Sequence, residues 1–217
     1  MITITASTLK LIAMGTMLID HIGVLLFPEI ALFRIIGRLS FPLYAYLIGE
    51  GCRYTRSKKK YFLNVLLLFF SFQLVHFLVR GEIRISVLFG FLLSIIFSSL
   101  FEWSKKGKGV RKIIPFFFFL IFFSLTILFS VDYSVFSFLL PISVFLIEDK
   151  KKRLAVFGFL LLILGSIYMY QYFCLFSLLF LLFYKGEKGK KINKKIFYWF
   201  YPLHYAVLGI IGYLINL

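Results

Sequence analysis

Long apolar runs broken by short clusters of lysine and arginine set the rhythm of this chain. The clusters occupy 53–60, 105–112, 150–153 and 185–195, and the runs before them occupy 1–52, 61–101, 113–148 and 154–184. Each run is far longer than the about 20 residues that cross a bilayer's hydrocarbon. Each therefore reads as a pair of helices whose turn lies opposite the basic cluster. Turn residues stand where such hairpins need them, at Phe27-Pro28-Glu29, Arg80-Gly81-Glu82 and Val131-Asp132-Tyr133-Ser134, and more weakly at Tyr170-Gln171-Tyr172. A further apolar stretch, 196–216, adds a last helix. The pattern predicts an all-α, polytopic membrane protein of about nine transmembrane helices, forming a single domain over 1–217. Basic loops stay in the cytoplasm, which places the N-terminus inside and the C-terminus outside. Trp103, Trp199, Tyr61 and Tyr184 border the clusters, as aromatic residues at a membrane interface do.

Composition agrees with that reading. Hydrophobic residues make up 61% of the chain, charged residues 16%, and the mean hydropathy is +0.96, too apolar for a domain surrounded by water. The 25 Lys and Arg against 9 Asp and Glu would suit a nucleic-acid ligand if they formed one surface. Twenty of the 25 are confined to the four clusters between apolar runs, which excludes that partner and points to the inner leaflet of a bacterial cytoplasmic membrane. Cys52 and Cys174 have no metal-ligand spacing, and no metal is expected. The first apolar stretch contains Asp20 and His21 and has no basic segment before it, unlike a cleavable signal.

Ionisable residues within a span are costly and tend to face a polar interior with a function. Here they concentrate in the first, second and last helices. Lys10 and His21 are eleven helical steps apart, which is about 1100° of rotation, so they share one face about 16 Å apart along the axis. Lys10 then sits at the cytoplasmic mouth and His21 more than halfway across. Asp20 precedes His21. The second helix begins with Arg34 and Arg38, one turn apart on one face. Arg38 is deep enough to need a partner, and Asp20 is the natural one. Pro42 should bend this helix and free a backbone carbonyl. Glu50 lies near its inner end, where a solvated carboxylate and a functional one are equally compatible with the sequence. The last helix carries His204, two residues after Pro202.

These residues also carry a likeness. Leu9-Lys10-Leu11-Ile12-Ala13-Met14, Leu18-Ile19-Asp20-His21-Ile22-Gly23, Arg34-Ile35-Ile36-Gly37-Arg38 with Phe41-Pro42, and Tyr201-Pro202-Leu203-His204 resemble the TraX family. That family is named for N-terminal acetylation of conjugative pilin, and it resembles the wider acyltransferase-3 group of membrane enzymes. A basic residue and a histidine separated by ten residues mark the first helix of that group, and Lys10 and His21 match. Arg34 and Arg38 have three residues between them where the group has two, so no role is carried over to them.

The resemblance implies transfer of an acyl group, most simply acetyl, from cytoplasmic acetyl-coenzyme A to an amine or hydroxyl on the outer side. The acceptor would be a pilin-like protein or a cell-envelope glycan. In this reading Lys10 attracts the phosphates of coenzyme A and His204 positions the thioester or relays a proton. His21 is the first choice for general base, with Asp20 orienting it and His204 the other candidate. Arg38, with Arg34, either stabilises the oxyanion or pairs with Asp20. The alternative is a proton-coupled permease using Asp20, His21 and Arg38 as its binding site.

Overall fold

A computed structural model describes residues 3–190 and 193–215, and among these every regular element is helical. Hydrocarbon offers a backbone no hydrogen-bond partners, so a chain this apolar must satisfy its amides internally, as helices do. Helix α1, Ala6–Leu25, is capped by the Thr5 hydroxyl, which accepts from the Thr8 amide at 3.3 Å. The second apolar run splits into α2, Ala31–Gly37, and α3, Ser40–Tyr54. The chain continues through α4 (Lys58–Arg80), α5 (Leu88–Lys105), α6 (Ile114–Leu128), α7 (Phe136–Leu146) and α8 (Lys150–Ile167). A 3-10 segment, Met169–Phe176, leads into α9, Ser177–Phe183, and α10, Lys194–Ile215, closes the bundle.

The break between α2 and α3 has a local cause. Pro42 has no N–H, and its ring clashes with the carbonyl four residues earlier, that of Arg38. Helical bonding fails there, and the freed carbonyl accepts from Cys174 Sγ at 3.2 Å instead. The kink expected from Pro42 is therefore an interruption, and the 3-10 segment after α8 supplies its hydrogen bond.

Among the described residues, six helical stretches are long and apolar enough to cross a membrane: Ala6–Leu25, Ala31–Tyr54, Lys58–Arg80, Leu88–Lys105, Gly109–Leu128 and Ile196–Ile215. The stretches 135–148 and 172–184, counted among the nine helices but already short for full spans by sequence, give shorter helices still. Helix α7 has 11 residues and α9 has 7. At about 1.5 Å per residue, α7 covers only about half of a 30 Å hydrocarbon layer. Residue 216, the expected end of the last helix, lies outside the described residues.

The basic clusters meet at one end of the bundle. Arg53 donates to the carbonyls of Phe145 and Ile147 at 2.8 and 2.7 Å, and Lys58 pairs with Glu102 at 2.6 Å. The Arg111 guanidinium lies 3.8 Å from the Trp103 ring. Lys150 donates to the Tyr184 carbonyl at 2.6 Å, and the residues beyond Tyr184 bond to the chain's beginning, with the Ala6 amide 2.8 Å from the Glu187 carbonyl. The Tyr184 hydroxyl donates to the buried Glu50 carboxylate, and Arg153 donates to the Tyr46 hydroxyl at 3.0 Å. Tyr184 is 2% exposed, so it is an interior bracing residue and does not border the lipid interface as its sequence position suggested. Turns gather at the opposite end, where Arg80 reaches the Val24 carbonyl and the Asp132 amide donates to the Ile85 carbonyl.

Candidate functional site

One cavity of about 1470 Å³ runs between these two ends. At the basic-cluster end Lys10, Arg56, Lys60, Asn64 and Tyr198 line it. At the other end the walls include Arg34, Arg80, Glu82, Arg84 and Asp132, and Asp20, His21 and Arg38 lie between. The five cations outside the four clusters are Lys10, Arg34, Arg38, Arg80 and Arg84, and every one of them faces this cavity. Setting the loop clusters aside would therefore have found Arg80 and Arg84, which reasoning from single helices passed over. Arg56 and Lys60 carry no such signal, because they are indistinguishable from their neighbours in a cluster.

Helices α1 and α2 form the ionic centre. Asp20 sits between two guanidiniums, with Oδ1 2.7 Å from Arg38 Nη2 and Oδ2 2.9 Å from Arg34 Nη1. Arg38 Nε also donates to the Arg34 carbonyl at 3.1 Å, so this buried side chain is held at two points. Gly37 makes room for the arrangement, since a Cβ there would lie 2.1 Å from Asp20 Oδ1. The Asp20–Arg38 pairing agrees with the expectation from depth. The expected orientation of His21 by Asp20 does not. Consecutive helical residues point about 100° apart, and both carboxylate oxygens are engaged by arginine.

His21 turns instead toward α10. Its Nδ1 is 2.6 Å from His204 Nε2, and the two rings lie 4.9 Å apart between centroids with planes 21° from parallel. His204 Nδ1 is 2.6 Å from the Phe200 carbonyl, and the Phe200 ring stacks on it at 4.7 Å. Tyr205 meets His21 edge-on at 5.0 Å, and Phe72 of α4 lies on its other flank. His204 is only 7% exposed and does not line the cavity, so it stands behind His21. Lys10 lies 5.4 Å from the Phe197 ring, at the cavity's basic-cluster end.

The far end is shaped by the turn between α6 and α7. Ser130, Tyr133 and Ser134 have φ of 46°, 61° and 47°, a left-handed conformation that non-glycine residues adopt at a cost of order 1–3 kcal/mol each. Tyr133 stacks on Phe41 at 3.8 Å between centroids, and the Arg38 guanidinium lies 5.9 Å from its ring. Arg84 Nε pairs with Asp132 at 2.9 Å. Burial pushes the Asp132 carboxyl above the usual range, with Arg84 acting against that shift.

Fold and site together describe a multi-pass helical membrane protein with an ionised internal cavity. The chain belongs to the TraX family, whose model, described as TraX protein, matches residues 5–212. It is also similar to "Uncharacterized protein RP591" of Rickettsia prowazekii (strain Madrid E), at 46% identity over 41 residues. That match covers 19% of this chain and 16% of the relative, so the chain spans about a sixth of the length of the curated relative it matches. No solved structure matches the chain.

Proposed function

We propose that this protein is a membrane acyltransferase that moves an acetyl group from acetyl-coenzyme A to an amine or hydroxyl acceptor across the bilayer. The observation that carries the reading is the cavity, which offers cations to phosphates at one end and an imidazole partway along. We further propose nine crossings in the cytoplasmic membrane, with α7, α8 and the Met169–Phe183 stretch completing the six longer spans. The basic-cluster end then faces the cytoplasm. Coenzyme A docks there, its phosphates drawn by Lys10, Arg56 and Lys60, and its pantetheine arm follows the cavity toward His21.

In the transfer step His21 takes the acceptor's proton as the acceptor nitrogen or oxygen bonds to the thioester carbonyl carbon. The carbonyl oxygen becomes an oxyanion. Arg38 keeps N–H groups beyond those engaged by Asp20 and the Arg34 carbonyl, and these are suited to stabilise it. The carbon–sulfur bond then breaks, and the coenzyme A thiolate takes the proton from His21. A base is needed because an α-amine with a pKa of about 7.7–8.0 is partly protonated at neutral pH, and a hydroxyl is a weak nucleophile.

The run of the cavity between both ends also suits a proton-coupled permease, in which the ionic centre binds a solute and no bond is made. Purified protein in nanodiscs, given acetyl-coenzyme A, separates the two readings. Acceptor-dependent release of free coenzyme A supports the enzyme, and His21→Gln should lower it by about 10²–10⁴-fold. Full activity in His21→Gln would remove the imidazole from the chemistry. Solute uptake by proteoliposomes with no thioester cleavage in the presence of envelope extract would favour the permease.

A further inference from the structure

The His21–His204 contact fixes more than a distance, because one end of it is tied to a group that can only accept. A backbone carbonyl has no proton to give, so the 2.6 Å bond between His204 Nδ1 and the Phe200 oxygen requires the proton on Nδ1. A neutral imidazole carries one N–H, and His204 Nε2 is thereby left with its lone pair. That lone pair faces His21 Nδ1 at 2.6 Å, so His21 Nδ1 must donate. With its single proton committed there, His21 leaves Nε2 bare. Stacking by Phe200 holds the His204 plane, and the edge of Tyr205 holds that of His21. No carboxylate competes for this role, since Asp20 is occupied by Arg34 and Arg38.

We infer that His204 is a positioning residue that sets the tautomer of His21, making His21 Nε2 the nitrogen that accepts the proton in the transfer step. The catalytic half of this inference rests on the acyltransferase reading, and the tautomer half does not. When a proton arrives at Nε2, His21 becomes a cation and its Nδ1–H bond to His204 becomes charge-assisted, which strengthens the bond as the charge develops. The Nδ1 proton can shift to His204 Nε2, spreading the charge over two rings. When the carbon–sulfur bond breaks, the thiolate takes the proton from His21 Nε2, and both rings return to their starting tautomers. A backbone carbonyl thus does for this pair what an orienting carboxylate does for a histidine in a catalytic triad. Loss of such an orienting partner, with inversion of the tautomer, costs a serine protease triad about 10⁴ in kcat.

The chain has three histidines, so nitrogen-15 NMR of histidine-labelled protein in nanodiscs can be assigned from single variants. In the native protein both His21 and His204 should show a protonated Nδ1 and an unprotonated Nε2. In His204→Phe, which keeps a flat ring but offers no acceptor, the His21 proton should move to Nε2. In assays of the same proteins, His204→Phe should lower kcat by about 10²–10⁴-fold with the donor KM little changed. His204→Gln, whose amide oxygen can accept from Nδ1–H, should recover part of that loss. A native His21 protonated at Nε2, or a His204→Phe protein as active as the native one, would overturn the inference. So would His204→Gln and His204→Phe proteins that fold yet lose equal activity. If the tautomers are as stated but acetyl-coenzyme A is never cleaved, the acyltransferase reading falls, and the catalytic half of the inference falls with it.

Discussion

At the scale of single residues, the ionic centre should behave as a unit of three. Removing the carboxylate in Asp20→Ala leaves two guanidiniums side by side on the cavity wall, the buried Arg38 among them. Breaking a buried pair in this way costs about 3–5 kcal/mol. Thermal unfolding in detergent should show a large drop for Asp20→Ala and partial recovery in Asp20→Ala with Arg38→Met, which removes the stranded charge. No recovery in the double variant would mean that Arg38 is not held mainly by Asp20. The Asp20–Arg38 contact was legible from the sequence because a charge deep in a span has few ways to be neutralised. The His21–His204 contact was not, since helical periodicity assigns residues to faces and is silent on which distant helices become neighbours. For the same reason Asp20 looked like the partner of His21 when adjacency in the chain in fact turns the two side chains apart.

At the scale of elements, prolines and glycines do the positioning. Pro42 ends helical bonding ahead of itself, and Cys174 takes up the carbonyl released at Arg38. Cys174→Val removes that donor and should cost about 1–3 kcal/mol in thermal unfolding, while Cys174→Ser should stay nearer the native value. Equal losses in the two variants would assign the effect to packing. Gly37→Ala is the sharper probe of α1 against α2. Its added Cβ would stand 2.1 Å from Asp20 Oδ1, so it should destabilise by about 1–3 kcal/mol and lower activity as well. The bend at Pro42 was readable from the absent N–H. The shortness of 135–148 and 172–184 as spans was readable from their length. That Pro42 would break the helix into α2 and α3 was hidden, because apolar runs record burial in lipid or protein alike.

At the scale of the whole molecule, topology and the two unlike cavity ends give the remaining tests. Both native cysteines are buried, so an introduced cysteine can be read against a quiet background. In intact cells a membrane-impermeant thiol reagent should label a cysteine at Glu29, beside the first turn, and should reach one at Lys108 only after the membrane is opened. Labelling of position 108 from outside would invert the orientation and move the donor to the other face. For the donor, Lys60→Ala and Arg56→Ala should each raise the acetyl-coenzyme A KM by about fivefold, the equivalent of about 1 kcal/mol. Added salt should weaken donor use in the native protein and weaken it less in these variants. Basic loops were the strongest signal in the sequence, and the fold gathers their contacts at one end of the bundle.

The spacing of the site's contacts along the chain bears on how the protein is made. Asp20 meets Arg34 and Arg38 within a single hairpin, so the costly charges can neutralise each other before they leave the insertion machinery. The neutral imidazole of His21 waits much longer, because its partner lies 183 residues downstream. The N-terminal segment waits similarly for residues 183–188. A nascent chain can therefore enter the bilayer with its electrostatic debt already settled, while His21 stays without its imidazole partner until α10 arrives. A polypeptide released after residue 190 should insert normally yet have no tautomer imposed on His21, so an unfinished copy is integrated with its central imidazole unset.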